Sequence, residues 1–506
     1  MKIKKKDKIL KRLEILNQMD RFRIIAVVLI LMLIALALRL GYLTLIRGSY
    51  YNDVAQNNRI KEINIPAARG VIYDRKGNVL SGTRTVFTAA IATNTMQNIT
   101  ASEKNADFRQ LARMFDKEGA NYYEEYILSL NMFHYRNPET YFEEDMSPTE
   151  KIIDIFLKND LMDELMAQSF KEETSHGVYE YNVLNQIIAS LRVKGVKLPI
   201  AADQGELRLQ EGEAAESFLR DHNVVGETSP TKIIYELVKQ DEGILRKILS
   251  HPVGRALVYD QLKSRNLQDN VLITPVGIEE KENFYTNKAR LHRSFPQITL
   301  ESDAKSDFAA IVDESTLDKL LLNVSFDREN RIIVPAQKAI DLLKEKGINP
   351  GLKININEED ENNPKVELDF EEGEKKETSS AIEYLLLLLR ENGLVKDLAT
   401  LDSIKNIAQE INTQNNINPR ISIVEWEYMS QKAIRENFER FKVQEGAGAE
   451  DLYQAMLNYY EIENEYKYDA FNTLMVYYRI SNHTSGGYEP LHIAYDLGES
   501  LVAQIK

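Results

Sequence analysis

Two serines in this chain stand three residues ahead of a lysine, Ser229 before Lys232 and Ser302 before Lys305. On a helix that spacing brings the amine one turn from the hydroxyl, where it can take the serine proton and arm the oxygen for acyl transfer. The same chemistry calls for a Ser-x-Asn element and for a lysine directly ahead of Thr-Gly or Ser-Gly. Ser129 with Asn131 and Ser264 with Asn266 supply the first pattern, in segments that read as helical, but no lysine precedes either dipeptide anywhere in the sequence. Ser229 is explained as the N-cap of a helix, and Ser302 lies in the acidic stretch ESDAKSD with no apolar helix to frame it. A short pattern with two free positions arises by chance in a chain rich in lysine. Both pairs are read as coincidence, and these residues as inactive alone in acyl transfer.

Other chemistries have no better footing. The seven histidines, His134, His176, His222, His251, His292, His483 and His492, are scattered singly, without the HxxxH spacing that puts two imidazoles on one helix face. Cysteine is absent, which removes disulfides, thiolate metal sites and a thiol nucleophile, and suits a protein that folds outside the cytoplasm without oxidative help. The glycine patterns that cradle nucleotides are missing. The run Glu358-Glu359-Asp360-Glu361 lacks the alternating oxygen ligands and central glycine of a calcium loop and reads as a solvated turn. No catalytic residue, metal or cofactor is expected.

The elements around these residues are mainly helical. Between Ala101 and Ser481 apolar residues recur at helical spacing, broken by acidic or glycine-containing turns. Ser147-Pro-Thr and Ser229-Pro-Thr open two similar segments, and Ser379-Ser380-Ala381-Ile382 opens a looser third. Each puts a hydroxyl at the N-cap, and the first two put proline where its missing N–H costs nothing, a pattern of duplicated helix-pair modules. LKININ and VELDF, between Leu352 and Phe370, alternate around a polar turn as a β-hairpin. Asp496 and Glu499 have capping-box spacing ahead of Leu501, Val502 and Ile505, which would share one helical face. No stop signal follows, so the natural product is expected to continue beyond Lys506 or to be truncated there.

One segment belongs to a different solvent. Residues 24–46 form an uninterrupted apolar run apart from Arg39, about 34 Å long as a helix and enough to cross a bilayer. Nine basic residues against three acidic ones precede it, which by the positive-inside rule holds the N-terminus in the cytoplasm and the bulk outside. The run exceeds a signal-peptide core and lacks a small-x-small cleavage site, so an uncleaved anchor is expected. Arg39 lies toward its outer end, able to snorkel to the headgroups or face a partner helix. A net charge of -15 over 506 residues, with the basic residues of the tail set apart, argues against nucleic-acid binding.

Directly after the anchor, Gly48 to Thr93 reads GSYYNDVAQNNRIKEINIPAARGVIYDRKGNVLSGTRTVFTAAIAT. Gly70 to Tyr73 and Asn78 to Leu80 flank the turn Asp74-Arg75-Lys76-Gly77, and a further strand pattern runs from Val86 to Ile91. Arg69, Asp74 and Arg75 are expected to form an ion-pair cluster that fixes the turn. This stretch resembles the juxtamembrane region of class B penicillin-binding proteins of the elongation type, through Asn57-Asn58-Arg59, Pro66, Arg69-Gly70, Ile72, Asp74-Arg75, Gly77 and Leu80. It departs from them at Ala68, where proline is common, and at Ser81, where alanine is usual. A second likeness, in Tyr488-Glu489-Pro490, Ile493-Ala494 and Val502 to Ile505, is to the part of that family's pedestal that precedes its catalytic domain.

The resemblance implies an α+β, mostly helical chain: one transmembrane helix followed by an elongated pedestal with small β-hairpins and a large helical insertion. The expected divisions are a cytoplasmic tail at 1–23, an anchor at 24–46, a hairpin segment at 47–98, the insertion at 99–350, an acidic hairpin at 351–375 and a helical pedestal part at 376–506. Asn58, Arg59, Pro66, Arg69, Gly70, Asp74, Arg75 and Gly77 would be structural motif residues. The function implied is anchorage in peptidoglycan synthesis and cell shape, with the transpeptidase domain absent. Implied partners are the lipid bilayer, a SEDS-type glycosyltransferase contacted near Arg39 and the hairpin, and other elongation-machinery proteins, with peptidoglycan reached only through the missing domain. The alternative is a native non-enzymatic scaffold for the same partners.

Overall fold

A computed structural model describes residues 21–57, 70–77, 79–92, 96, 99–120, 126–203, 206–326, 331–357, 365–371, 380–444, 446–483 and 490–505. The chain divides into two compact units, Met1–Arg84 and Thr85–Lys506. In the first, helix α1 (Arg21–Gly41) runs into a π-helical turn at Tyr42–Ile46. Ile25–Ile46 is long and apolar enough to cross a membrane, and none of it is buried against protein. The Arg39 and Arg47 guanidinium carbons lie 5.6 and 5.8 Å from the centre of the Tyr42 ring, so one aromatic ring serves both charges near the end of the apolar run.

Strands β1 (Ile72–Tyr73) and β2 (Val79–Ser81) form the expected hairpin in the same unit. The Asp74 carbonyl accepts from the Gly77 N–H at 3.0 Å, and its carboxylate accepts from the Lys76 N–H at 2.7 Å. Gly77 has φ of +87°, a conformation that a Cβ would disfavour. Turn chemistry thus sets the register locally.

The second unit begins with β3 (Phe87–Ile91), whose partner is no sequence neighbour. It pairs antiparallel with β10 (Leu491–Leu497), near the other end of the unit, so a single two-stranded ribbon ties entry to exit. Helix α2 (Ala101–Glu118) opens with a complete capping box between Thr100 and Glu103. Its Ala112 and Phe115, with Ala120, pack on Ile493, Ala494 and Leu497 of the ribbon and on Leu501 of the last helix.

A second long-range ribbon organises the body: β4 (Leu128–Tyr135) pairs antiparallel with β7 (Val271–Ile278), from Leu128 opposite Ile278 to Tyr135 opposite Val271. Between them come helices α3 (Pro148–Lys158) and α4 (Met162–Met166), the hairpin β5 (Ser169–Thr174) to β6 (Gly177–Asn182), and helices α5 (Val183–Val193), α6 (Pro230–Val238), α7 (Glu242–Leu249) and α8 (Pro252–Ser264). Phe133, Phe156, Tyr179, Tyr181, Ile187, Ile248 and Leu262 meet there in one core. A separate core, around Phe308, Leu343, Leu385 and Leu398, joins α9 (Glu279–Ser294), α10 (Ala304–Ser315), the hairpin β8 (Leu352–Asn357) to β9 (Lys365–Phe370), α11 (Ala381–Glu391) and α12 (Val395–Ala399). A third core holds α13 (Ala449–Tyr459) against α14 (Lys467–Asn482). Helix α15 (Glu499–Ile505) closes the described chain.

The three repeated starts do become helix pairs: α3–α4, α6–α7 and α11–α12. The first and third share a turn. Asn159 and Asn392 each return their side-chain amide to the carbonyl four residues back, at 2.7 and 2.8 Å, and Asp160 and Gly393 take φ of +54° and +63°. The caps differ. Ser147 makes a full capping box with Glu150, whereas the Ser229 and Ser380 hydroxyls make no cap hydrogen bond. At Ser229 the Glu227 carboxylate accepts from the Thr228 and Ser229 N–H groups. Asp496 also departs from its expected role: it lies on β10 with φ of +56°, and the last helix starts only at Glu499. Of its three apolar residues Leu501 is buried and Ile505 is exposed.

Candidate functional site

The Ser302 hydroxyl is taken up by a local turn, whereas Ser229 occupies an N-cap position without making a cap hydrogen bond. Lys232 is exposed beside the N-terminus of α6. The Ser302 hydroxyl donates to the Thr299 carbonyl at 2.8 Å and accepts from the Thr299 N–H at 2.9 Å, while Lys305 lies 5.6 Å from the centre of the Trp426 ring. A different lysine is buried near that turn. Lys288 donates to the Leu300 carbonyl at 2.9 Å and to the Ser302 carbonyl, and its charge meets Asp307 at 3.7 Å. Burial pushes the Lys288 amine down and the Asp307 carboxyl up. The Tyr428 hydroxyl donates to that carboxylate at 2.6 Å. With its donors so engaged, Lys288 acts as a rivet between α9 and α10.

Of the two Ser-x-Asn patterns read as helical, the first lies on a strand and the second begins at the last residue of α8. Ser129 and Asn131 are on strand β4, the serine buried, and Asn131 has φ of +53° with its amide donating to the Pro252 carbonyl and the Tyr468 hydroxyl, both at 2.9 Å. Ser264 ends α8, donating to the Gln261 carbonyl at 2.8 Å. Neither pattern faces a serine–lysine pair through any of these bonds. Among the described residues no group of three or more His, Asp or Glu side chains is placed to hold a metal ion.

The densest buried polar arrangement is one the sequence does not announce. Asp116 lies near the end of α2 on the same apolar stripe as Phe108, Ala112 and Phe115 and is fully buried. Its carboxylate stands 3.1 Å from His251 Nε2 and accepts from the Asn472 amide at 2.6 Å. Its carbonyl accepts from the Gln186 amide at 2.6 Å. His251 Nδ1 accepts from the Val253 N–H at 3.1 Å as the cap of α8, which leaves the proton on Nε2, facing Asp116. The Tyr181 ring stacks on the imidazole at 4.3 Å between centroids. Burial holds the His251 pKa below its ordinary value even though Asp116 opposes the shift.

Two further polar ties run along α2. Arg113 forks onto the Asp469 carboxylate of α14 and also donates to the His176 carbonyl at 2.8 Å and the Thr174 hydroxyl at 2.6 Å at the tip of the β5–β6 hairpin. Asn105 donates to the Tyr460 and Glu461 carbonyls at 3.3 and 2.8 Å. Side chains from α5, β6, α8 and α14 thus converge on one helix, which also packs on the β3–β10 ribbon. The buried Asp116–His251 pair fastens α2 to the start of α8. It makes α2 a mechanical strut. Asp116 on an apolar stripe and His251 just before Pro252 were the signals in the sequence; their meeting was not readable there.

Of the motif residues, Asn58, Arg59, Pro66 and Arg69 lie outside the described residues, as does the acidic run at 358–361. Gly70, Asp74, Arg75 and Gly77 are on the hairpin. Arg75 is exposed and makes no ion pair among the described residues, so the expected cluster at the turn does not include it. Asp74 serves the turn through the Lys76 N–H.

Comparison with known proteins finds two partial likenesses. Residues 64–197 match the penicillin-binding protein dimerisation domain, a segment that takes in the β1–β2 hairpin, β3, the strut α2, β4 and the helices through α5. Over 70 residues the chain is 36% identical to the peptidoglycan D,D-transpeptidase MrdA of Acinetobacter baumannii, which is 14% of this chain. The aligned segment spans 10% of that relative's length.

Proposed function

We propose that this chain, which carries the dimerisation domain of a class B penicillin-binding protein, is the membrane anchor and pedestal that supports peptidoglycan cross-linking outside the cell membrane. The observation that carries the reading is sequence order: an apolar span at Ile25–Ile46, and then a family segment that starts at residue 64. The basic tail ahead of the span favours a cytoplasmic N-terminus. A pedestal must transmit position without bending, and α2 suits that task because buried polar ties, which lose much when one partner is removed, fix it on several sides.

In this reading the anchor and the hairpin contact a SEDS-type glycosyltransferase, with Arg39 near the outer end of the span, and the chain acts in cell elongation and shape. The acyl transfer itself belongs to a catalytic domain other than the elements described above. Three measurements test the proposal. Protease protection of spheroplasts is expected to place Gly70 to Leu80 outside the cell, and a cytosolic location defeats the assignment. Deleting residues 24–93 should abolish co-purification with the glycosyltransferase. Fluorescent penicillin should leave these 506 residues unlabelled, whereas covalent labelling would give Ser229 or Ser302 a catalytic role.

A further inference from the structure

Along the buried stripe of α2 the polar residues Asn105, Arg113 and Asp116 are each satisfied by named partners. Arg109 is not. It is 9% exposed, yet no hydrogen bond or ion pair engages its guanidinium among the described residues. The stem of Arg109 is packed away while its guanidinium nitrogens stay open to the cleft, so a fork that no protein carboxylate occupies faces solvent where an anion can reach it. Arg109 lines a cleft of about 540 Å³ between α2, the β5–β6 hairpin and α15, within the size range of small-ligand sites.

We propose that this cleft binds a small carboxylate, the free C-terminal end of a short peptide, with Arg109 as its anchor. A guanidinium presents two parallel N–H groups that match the two oxygens of a carboxylate. Lys117 adds a second cation to the lining, two turns farther along α2. Gln110 and Gln504 line it with carboxamides that can meet a peptide bond, and Met114 and Val178 add apolar surface for a small side chain. Arg113 shares the cleft but is already held by Asp469. Glu180, also in the lining, pairs with Lys171 at 3.1 Å and contributes a negative charge that favours a monoanion over a phosphate dianion. The site stands independently of the anchor reading, since its residues all belong to the second unit and its ligand is recognised by charge and shape.

The test is isothermal titration calorimetry of the full chain in detergent at pH 7, with acetyl-Ala-Ala as the free acid, its C-terminal amide, and inorganic phosphate as probes. The free acid is expected to bind, the amide at least tenfold more weakly, and phosphate more weakly than the free acid. R109Q should lose at least tenfold in affinity for the acid, and K117Q about threefold. R109Q should melt within a few degrees of the parent by circular dichroism, because the guanidinium faces the cleft and makes no bond to the described residues. Should that variant fail to fold, R109K, which keeps the charge and loses the fork, and the exposed K117Q carry the test. No heat with the free acid, equal binding of acid and amide, tighter binding of phosphate, or unchanged affinity in R109Q each overturns the proposal.

Discussion

Asp116 receives a proton donor from His251 and another from Asn472, so removing the carboxylate strands both in a sealed core. Each buried donor left unsatisfied in this way costs about 1–3 kcal/mol. Asp116→Ala is therefore expected to lower the urea midpoint of the second unit sharply, with Asp116→Asn losing less. Acid adds a signature. Because burial holds His251 below its ordinary pKa, the unfolded chain binds a proton that the native state refuses. The stabilisation is complete above about pH 6.5 and declines as pH falls below it. Glu282 runs the other way. Burial, helped by Glu279, pushes it from 4.5 up to about 8, so the native carboxyl keeps a proton that the unfolded chain releases, and stability declines as pH rises from about 4.5 toward 8. Glu282→Gln should match the parent at the acid end of that window and exceed it at pH 8, read as urea midpoints at both pH values. Neither shift was legible in the sequence, because each depends on which walls surround the side chain.

Among the elements, the repeated helix starts separate what a motif predicts from what geometry delivers. Ser147→Ala removes a working capping box and should cost about 1 kcal/mol, whereas Ser229→Ala should change stability by no more than a few tenths, because the Ser229 hydroxyl makes no cap hydrogen bond to lose. Thermal melts of the two variants side by side check the contrast. The junction of α7 and α8 is tighter still. A Cβ added to Gly254 would meet the Ile248 carbonyl oxygen at 2.1 Å, so the helices must part to admit it. Gly254→Ala is expected to destabilise by about 1–3 kcal/mol, an overpacking penalty readable by denaturant titration. Helix pairs and the β8–β9 hairpin were legible from spacing and turn residues. The strand β4 was not: LSLNMFHY, with five apolar residues of eight, fits a buried strand or a buried helix, and only the distant partner β7 decides between them.

At the scale of the molecule, the two units have separate organisation, and the second closes on itself through the β3–β10 ribbon and its own cores. A chain beginning at Thr85 should therefore fold without the anchor, partition into the soluble fraction, and melt cooperatively within a few degrees of the full chain in detergent. Loss of cooperativity would show that the first unit contributes to the core of the second. The sequence by itself determined the apolar span, the charge asymmetry across it, the Asp74–Gly77 turn and the helical character of the body, because each follows from local composition, hydrophobic period or turn chemistry. The pairing of β3 with β10, the Asp116–His251 contact and the unpaired Arg109 were decided only by tertiary structure. They join residues far apart along the chain, and in a single sequence no local period or turn residue encodes which distant partner a strand or a buried charge will meet.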